Sequence, residues 1–372
     1  MKPIFIPDYK NTIMNVTCSI LKHYGYPTKY DTIPACDRLL EKNHRNVILI
    51  LIDGLGKSII DKYPSASVNL RSDYVDTISS VFPPTTVAAT SSVLTGEPPV
   101  VTGWLGWSQY LKEEDRSVVL FTNKDYYDDS VVFREHLANK YVPYENIYAK
   151  IKRAAPDVST KEIFPAFREP HHDTFHKQCE TIIDTIAEPG RHFVYTYWDK
   201  LDYNMHAEGP DSELIKATLG DIDEAYRYLI DNIPEDTIII LLADHSQVAV
   251  LPINLWEYPD LTDTFVHLPS IESRAAAFFI KNDMKVAFES LFTKYFGKYF
   301  ILYRTEEVLA MNLFGYGEEH PLLREFLGDY LAIAIEEYHF RFKKDSFVMK
   351  GQHAGFLMEE TLVPLIIHDK KR

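Results

Sequence analysis

Six side chains of the types that bind zinc occur in four short segments of this chain, each at or just past the C-terminal end of an apolar run. They are Asp53, Asp202, His206, Asp244, His245 and His353. Divided into two groups of three, these carboxylates and imidazoles would form two zinc sites, each completed by a nucleophile or a water molecule. The residue types therefore predict a site for two divalent metal ions.

The two acidic residues that follow apolar runs also have a simpler structural interpretation. Asp53 precedes Gly54, a place where an aspartate most often caps the next helix, and Asp244 follows its own apolar run in the same manner. However, open α/β sheets bind ligands at the carboxyl ends of their strands. Two strands that both end in an acid therefore favour a ligand role.

Asp202 and His206 are four residues apart, so both side chains can reach one ion if their segment is a helical turn. Asp199 is an alternative to Asp202, or a hydrogen-bond acceptor that orients a ligating imidazole. His353 lies between two glycines two residues away on either side, which permits close backbone approach but also fits an ordinary turn.

A nucleophile candidate lies in residues 82–96, FPPTTVAATSSVLTG. Two prolines followed by threonines and small residues predict a loop that enters a helix, where a hydroxyl and unpaired backbone N–H groups could hold an anion. Thr86 is the predicted nucleophile, although Thr85 and Thr86 could instead cap a buried helix. A threonine hydroxyl is a poor nucleophile unless deprotonated, and coordination to zinc lowers its pKa.

The elements that must position these residues follow an alternating strand and helix pattern. Residues 212–232 carry apolar side chains at the alternating four- and three-residue spacing of one helix face. β-Branched, apolar runs typical of strands covered on both faces lie at residues 46–52, 118–122, 192–198, 236–243 and 361–367. Strand, helix and strand in succession predict a parallel crossover and an α/β fold.

The segment at 251–345 differs from the rest of the chain. It is rich in Phe and Tyr, has mixed patterning, and separates two site segments that would otherwise be neighbours. We therefore predict an inserted cap at 251–345, with a catalytic domain formed by residues 1–250 and 346–372.

Composition restricts the partners and the compartment. The chain has 372 residues, of which 46% are hydrophobic, and it can bury a large core. Its formal net charge of -15 argues against nucleic acid as the main partner. Cys18, Cys36 and Cys179 form no C-x-x-C motif, and neither a signal peptide nor a run of about 20 apolar residues is found. The expectation is a cytoplasmic protein that spans no membrane.

In order and content, the site segments resemble the alkaline phosphatase superfamily and, within it, the type I phosphodiesterase/nucleotide pyrophosphatase family. The shared features are Asp-Gly after the first strand, a Phe-Pro-x-x-Thr loop followed by L-T-G, D-x3-H-x2-G-P, Asp-His after a strand, and a late Gly-x-His. The resemblance covers residues 46–367 and is poorest in the inserted region. It implies an alkaline phosphatase-like fold, with a mostly parallel central sheet, helices on both faces and an inserted α+β cap.

The resemblance also implies a role for each site residue. One zinc would be held by Asp202, His206 and His353. The other would be held by Asp53, Asp244 and His245, with Thr86 as its fourth ligand. Thr86 would attack phosphorus and form a phosphoenzyme that water then hydrolyses. The expected cofactors are two divalent ions, Zn²⁺ with Mn²⁺ as the alternative, and the expected substrate is a small phosphodiester or a nucleotide.

Two positions depart from the family pattern. Trp107 stands 21 residues after Thr86, where the family usually has an Asn that donates to a phosphoryl oxygen. Together with Trp104 it could form an aromatic wall for a substrate ring, or both could simply pack in a core. Ser246 stands where the family commonly has Gly.

Other activities use a similar set of residues. The sequence around Thr86 lacks the C/S-x-P-x-R motif of a sulfatase, and we find neither the Arg nor the third metal site of a typical phosphomonoesterase. Phosphodiesterase is therefore the leading hypothesis, and a phosphomonoesterase or a phosphonate hydrolase is the alternative. A phosphotransferase would use the same residues. A catalytically weak, metal-stabilised binding protein is a further hypothesis, motivated by Trp107.

Overall fold

The structure is a computed structural model that describes residues 4–370. Within that range the strands are β1 (Asn46–Ile52), β2 (Tyr74–Ser79), β3 (Ser108–Leu111), β4 (Arg116–Val119), β5 (Lys124–Asp125), β6 (Val158–Ile163), β7 (Arg191–Trp198), β8 (Thr237–Leu242), β9 (Val248–Ala249), β10 (Leu251–Asn254), β11 (Phe265–Ile271), β12 (Ala275–Ile280), β13 (Phe300–Arg304), β14 (Tyr330–Ala334), β15 (Tyr338–Arg341), β16 (Gly351–Gln352) and β17 (Leu362–Asp369).

The helices of the same range are α1 (Ile13–His23), α2 (Pro34–Leu40), α3 (Lys57–Lys62), α4 (Val68–Ser72), α5 (Thr86–Thr95), α6 (Pro99–Thr102), α7 (Leu137–Tyr141), α8 (Ile147–Ala154), α9 (Phe175–Ala187), α10 (Lys200–Glu208), α11 (Glu213–Asn232), α12 (Pro259–Thr262), α13 (Lys285–Phe296), α14 (Thr305–Ala310), α15 (Leu323–Leu327) and α16 (Met358–Thr361). Short 3-10 turns lie at Pro64–Ala66, Leu255–Glu257 and Asn282–Met284.

A six-stranded central sheet in the order β2-β17-β8-β1-β7-β6 forms the main core. Strands β8, β1, β7 and β6 are parallel, whereas β17 runs antiparallel to both of its neighbours. Every residue of β1 is buried, as its continuous apolar run predicts for a strand covered on both faces. The mostly parallel sheet confirms the predicted fold class.

The helix α11 connects β7 to β8, which lie on either side of β1. Its buried side chains include Ile215, Leu219, Ile222, Tyr226 and Leu229, the residues that predict its apolar face. Because this face is buried, α11 packs against the core of the sheet. As part of the crossover connection, it allows β7 and β8 to run in the same direction.

A second, antiparallel sheet has the order β13-β14-β12-β11-β3-β4-β5. Four of its strands, β11 to β14, come from the segment at 251–345, but β3, β4 and β5 come from 108–125. The run at 118–122, predicted as a strand covered on both faces, overlaps the end of β4, which lies in the second sheet and forms a hairpin with β3. The cap boundaries remain a prediction, because the cap sheet also draws on an earlier part of the chain.

The three cysteines are buried and form no disulfide. Among residues 4–370, none of the helices combines the length and apolarity needed to cross a bilayer.

Candidate active site

The central sheet brings three of the site segments to one edge. Asp53 directly follows β1, Asp244 lies two residues past the end of β8, and α10 begins at Lys200, two residues past the end of β7. Because these strands are parallel neighbours, their carboxyl ends meet at the same edge of the sheet. His353 does not follow a strand of the central sheet. It follows β16, which pairs with β9 just after His245.

The six predicted ligands lie in two groups of three. In each group, one ligand atom of every residue lies within 4.8 Å of the others. The first group contains Asp202, His206 and His353, and the second contains Asp53, Asp244 and His245. This is the division that the resemblance implies, and the role of these residues as ligands remains a prediction.

Thr86 lies at the second group, where it is the first residue of α5. Its Oγ1 is 3.1 Å from Nε2 of His245. The same nitrogen is 3.4 Å from Oδ1 of Asp53 and 3.5 Å from Oδ2 of Asp244. One imidazole nitrogen and three oxygens thus converge, which is the kind and number of donors that a tetrahedral zinc ion takes.

Two buried carboxylate oxygens of this group lack a hydrogen-bond donor within residues 4–370. Oδ1 of Asp53 and Oδ2 of Asp244 accept no hydrogen bond from any residue in the described range. Burial, followed by the charges of Asp202 and Asp244, raises the pKa of Asp53 well above its usual range, and burial also raises the pKa of Asp244. Burying anionic groups without compensation is costly, so the donor set fits bound cations.

The first group is held by an ion pair within one helical turn. His206 Nε2 lies 3.1 Å from Oδ2 of Asp202, and both residues belong to α10, as their spacing requires. Burial opposes ionisation of Asp202, but the neighbouring charge and hydrogen bond of His206 prevail and lower its pKa. The rings of His353 and His245 are stacked with centroids 3.8 Å apart, so the two groups are contiguous.

Each of the three imidazoles is oriented by a backbone carbonyl. Nδ1 of His245 lies 3.1 Å from the carbonyl oxygen of Ser246, Nδ1 of His206 lies 2.9 Å from that of Gly351, and Nδ1 of His353 lies 3.1 Å from that of Pro84. A carbonyl only accepts, so each Nδ1 carries the proton and donates. With Nδ1 engaged in this way, Nε2 of each ring is the nitrogen that can bind a metal ion once it carries no proton.

The carboxylates also have supporting donors. The hydroxyl of Tyr197 donates to Oδ2 of Asp53, and the side-chain amide of Gln247 donates to Oδ1 of Asp202. Oδ1 of Asp244 accepts from the backbone N–H groups of Gly54 and His245, at 3.1 and 2.9 Å. These bonds fix one oxygen of each carboxylate and leave the other facing its group.

The simpler interpretations of these residues do not match the structure. Helix α3 begins at Lys57 with Gly56 as its N-cap residue, so Asp53 caps no helix there. Thr85 occupies the N-cap position of α5 but makes no capping bond. Asp199 precedes α10 and belongs to neither group of ligands, which leaves Asp202 as the member of the first group.

Ser246, which replaces the usual Gly, is fully buried and packs against Gly56. A Cβ atom at Gly56 would overlap the Ser246 side chain, and the Oγ atoms of Ser246 and Ser58 are 3.0 Å apart. In this chain the glycine needed at this close contact is therefore residue 56, and residue 246 is a serine.

A cavity of about 1300 Å³ opens from the two groups of predicted ligands. Trp107 is 44% exposed and lines it, with its ring edge-to-face against Phe121 at a centroid distance of 6.3 Å. Trp104 lines the same cavity; it is 7% exposed and its Nε1 donates to the Val142 carbonyl at 2.8 Å, and its role in an aromatic wall for a substrate ring remains a prediction. Further aromatic residues that line the cavity are Tyr126, Tyr127, Tyr144, Tyr148, Phe164, Phe167, Tyr195, Tyr197, Tyr203, Phe342 and Phe347.

Sequence reasoning missed three polar residues of the site. Gln247 lies three residues beyond Asp244, so its proximity to the site follows from the chain. Tyr197 lies on β7 next to the carboxyl end, but nothing in its local pattern indicates a contact with Asp53. Glu272 reaches the site from the second sheet, and its Oε1 accepts from Thr85 Oγ1 at 2.6 Å. No local motif marks that contact.

The chain is similar to known proteins in sequence pattern and in fold. The model of the type I phosphodiesterase/nucleotide pyrophosphatase family matches residues 47–346. Murine ectonucleotide pyrophosphatase/phosphodiesterase 5, including an inactive variant in complex with AMP, is 18% identical, with a TM-score of 0.66 and 87% of each chain covered. The human protein of the same name is 19% identical, with the same TM-score and coverage. None of the curated proteins matches the sequence.

Proposed function

This chain belongs to the type I phosphodiesterase/nucleotide pyrophosphatase family and is a hydrolase of that type, and we propose that it cleaves a small phosphodiester or a nucleotide through Thr86. The observation that carries the proposal is the position of Thr86 Oγ1, 3.1 Å from His245 Nε2, where Asp53 and Asp244 also converge. A hydroxyl at that point is available to a phosphoryl group entering from the cavity.

The six side chains of the two groups would hold two divalent cations, for which zinc fits the nitrogen and oxygen donors. When bound, such ions lower the pKa of a nearby hydroxyl and stabilise the attacking and leaving oxygens of an in-line displacement. The three Nδ1–H bonds to carbonyls keep the imidazoles in the tautomer that this requires.

Thr86 performs the covalent step in this proposal. Its Oγ1 loses its proton and attacks phosphorus as the bond to the leaving oxygen breaks. That oxygen departs with the alcohol or nucleotide and takes up a proton from solvent, and the phosphoryl group stays on Thr86. Water then cleaves that ester and regenerates the hydroxyl. The N-terminus of the ten-residue helix α5 begins at this residue, so its unpaired N–H groups and dipole favour the phosphoryl anion.

The cavity supports a substrate that has a large group beside the phosphoryl group. Its aromatic lining, including Trp107 and Phe121, suits the stacking of a planar ring. A murine structural relative of this fold binds AMP. A nucleotide is therefore the first substrate class to test.

The test compares hydrolysis of bis-p-nitrophenyl phosphate and p-nitrophenyl phosphate by metal-stripped protein, with and without added Zn²⁺ or Mn²⁺. Zinc-dependent turnover with preference for the diester supports the proposal. Preference for the monoester would favour a phosphomonoesterase instead. Two bound metals without turnover of either substrate would favour a metal-stabilised binding protein.

A further inference from the structure

The hairpin between β11 and β12 of the second sheet inserts a carboxyl group into the active site. This group is Glu272, which is 7% exposed. Its Oε1 accepts from Oγ1 of Thr85 at 2.6 Å and from the backbone N–H of Trp107 at 2.7 Å. The carboxyl group therefore contacts both the residue before the nucleophile and the position where the family pattern has its phosphoryl-contacting Asn.

The backbone of this hairpin is strained at the residue that precedes Glu272. Ile271, a β-branched residue, has φ of 75°, in the left-handed region that such residues rarely adopt. A Cβ on Gly106 would lie 2.7 Å from Cγ2 of Ile271 and 3.0 Å from Cγ of Glu272, so only glycine permits this approach. An unfavourable conformation that is kept next to a reacting group indicates a functional constraint.

The second oxygen of Glu272 is available to a substrate. Oε2 accepts no hydrogen bond from the described residues 4–370, and Glu272 lines the cavity beside Thr86. The pKa of Glu272 is raised to about 7, because burial outweighs its two hydrogen bonds and the charges of His245 and His206, which favour the ionised form. Because these imidazoles belong to different groups of ligands, Glu272 faces the electrostatic field of both groups.

We propose that Glu272 is a specificity-determining residue that makes the site select phosphodiesters over phosphomonoesters. A diester presents one negative charge, whereas a monoester carries almost two at neutral pH because its second pKa is near 6. A carboxylate close to the phosphoryl group repels the additional charge of the monoester. The hydrogen bonds from Thr85 and Trp107 hold the carboxylate at that place.

The inference rests on the proposed function, and its test uses the metal-loaded, full-length protein. Glu272→Gln keeps the shape and an acceptor oxygen for both hydrogen bonds while it removes the charge. The ratio of kcat/KM for p-nitrophenyl phosphate to that for bis-p-nitrophenyl phosphate should rise roughly 10-fold or more, because one buried negative charge is removed from the edge of the cavity. The matched control is Glu162→Gln, because this carboxylate of the same cavity is exposed and pairs with Arg168 at 3.4 Å, so its charge is already compensated and the ratio should stay unchanged.

Binding of inorganic phosphate, measured by titration calorimetry, gives a readout without turnover. Glu272→Gln should bind it more tightly than wild type, and Glu162→Gln should not. An unchanged ratio and an unchanged phosphate affinity would overturn the role of Glu272, while wild-type diesterase activity would leave the proposed function intact.

If wild type hydrolyses neither substrate, the proposed function fails, and phosphate affinity alone decides the role of Glu272. Thermal unfolding identifies a variant that does not fold. Glu272→Met, which fills similar space without charge, then replaces Glu272→Gln in the same measurements.

Discussion

The hydroxyl of Thr86 lies 3.1 Å from Nε2 of His245, and the same nitrogen lies 3.4 Å from the Asp53 carboxylate. The nucleophile candidate and two predicted ligands, which are far apart in sequence, thus share one point in space. Substitution of Thr86 should therefore affect the chemical step, whereas substitution of a predicted ligand should affect metal binding.

Replacement of Thr86 by Ala should abolish hydrolysis while leaving most of the metal bound. We expect a loss of roughly 1,000-fold or more in kcat, because removal of a covalent nucleophile leaves only binding and electrostatic contributions. Thr86→Ser should retain activity, since it keeps the hydroxyl. Rapid-quench measurement of phosphoenzyme should detect it in wild type and Thr86→Ser only. Unchanged turnover by Thr86→Ala would rule out this nucleophile.

The two groups of ligands should lose metal separately. Asp244→Asn should lower the metal content from two ions to about one, and His353→Asn should do the same for the other group, because each removes one of three protein ligands. Elemental analysis after dialysis gives the stoichiometry. The control is His368→Asn, whose ring contacts Asp73 outside the site. Loss of metal in that variant as well would indicate general unfolding.

Tyr197→Phe should weaken metal binding without removing a ligand. The tyrosine hydroxyl donates to Oδ2 of Asp53, and loss of a bond that orients a ligand typically costs at least about 10-fold in affinity. Competition with a chromophoric chelator measures this change. Tyr195→Phe, two residues earlier on the same strand, should leave the affinity at the wild-type value. Equal affinities in wild type and Tyr197→Phe would show that this bond is dispensable.

Gly56→Ala should destabilise the protein, and Ser246→Gly should rescue it. The added Cβ overlaps the Ser246 side chain, and overpacking of this kind costs about 1–3 kcal/mol in the free energy of unfolding. In the double variant the small residue has only moved from position 56 to position 246, so most of the loss should be recovered. Urea unfolding of both single variants and the double variant forms the cycle. Strictly additive effects would mean that the two positions do not interact.

The sequence predicted those parts of the structure that depend on local pattern and chain order. The run at 46–52 became β1 with the predicted bounds, and Asp202 and His206 lie on one turn of α10. The sequence could not reveal which sheet the run at 118–122 would join, because an apolar strand fits either core. Glu272 was missed for a related reason: its contact with Thr85 spans 187 residues and depends on the approach of two sheets.

The stability of the protein should fall as the solution is acidified through the range of His339. This histidine on β15 is 3% exposed, and neither ring nitrogen has a hydrogen-bond partner within residues 4–370. Burial, followed by the charges of Arg274 and Arg341, lowers the pKa of His339 from 6.5 to about 4. Between these two values the unfolded chain binds the extra proton, so acid favours unfolding.

The contribution of His339 is fully present above pH 6.5 and is lost as the pH falls to about 4. The loss across that window amounts to about 3 kcal/mol in the free energy of unfolding. His339→Leu should reduce the pH dependence by that amount, because leucine does not titrate. Urea unfolding at a series of pH values from 7.5 to 4.5 measures the difference from wild type. Phe340→Leu is the control, since it should lower stability by a similar amount at every pH. A pH dependence of His339→Leu parallel to that of wild type would contradict the assignment to this imidazole.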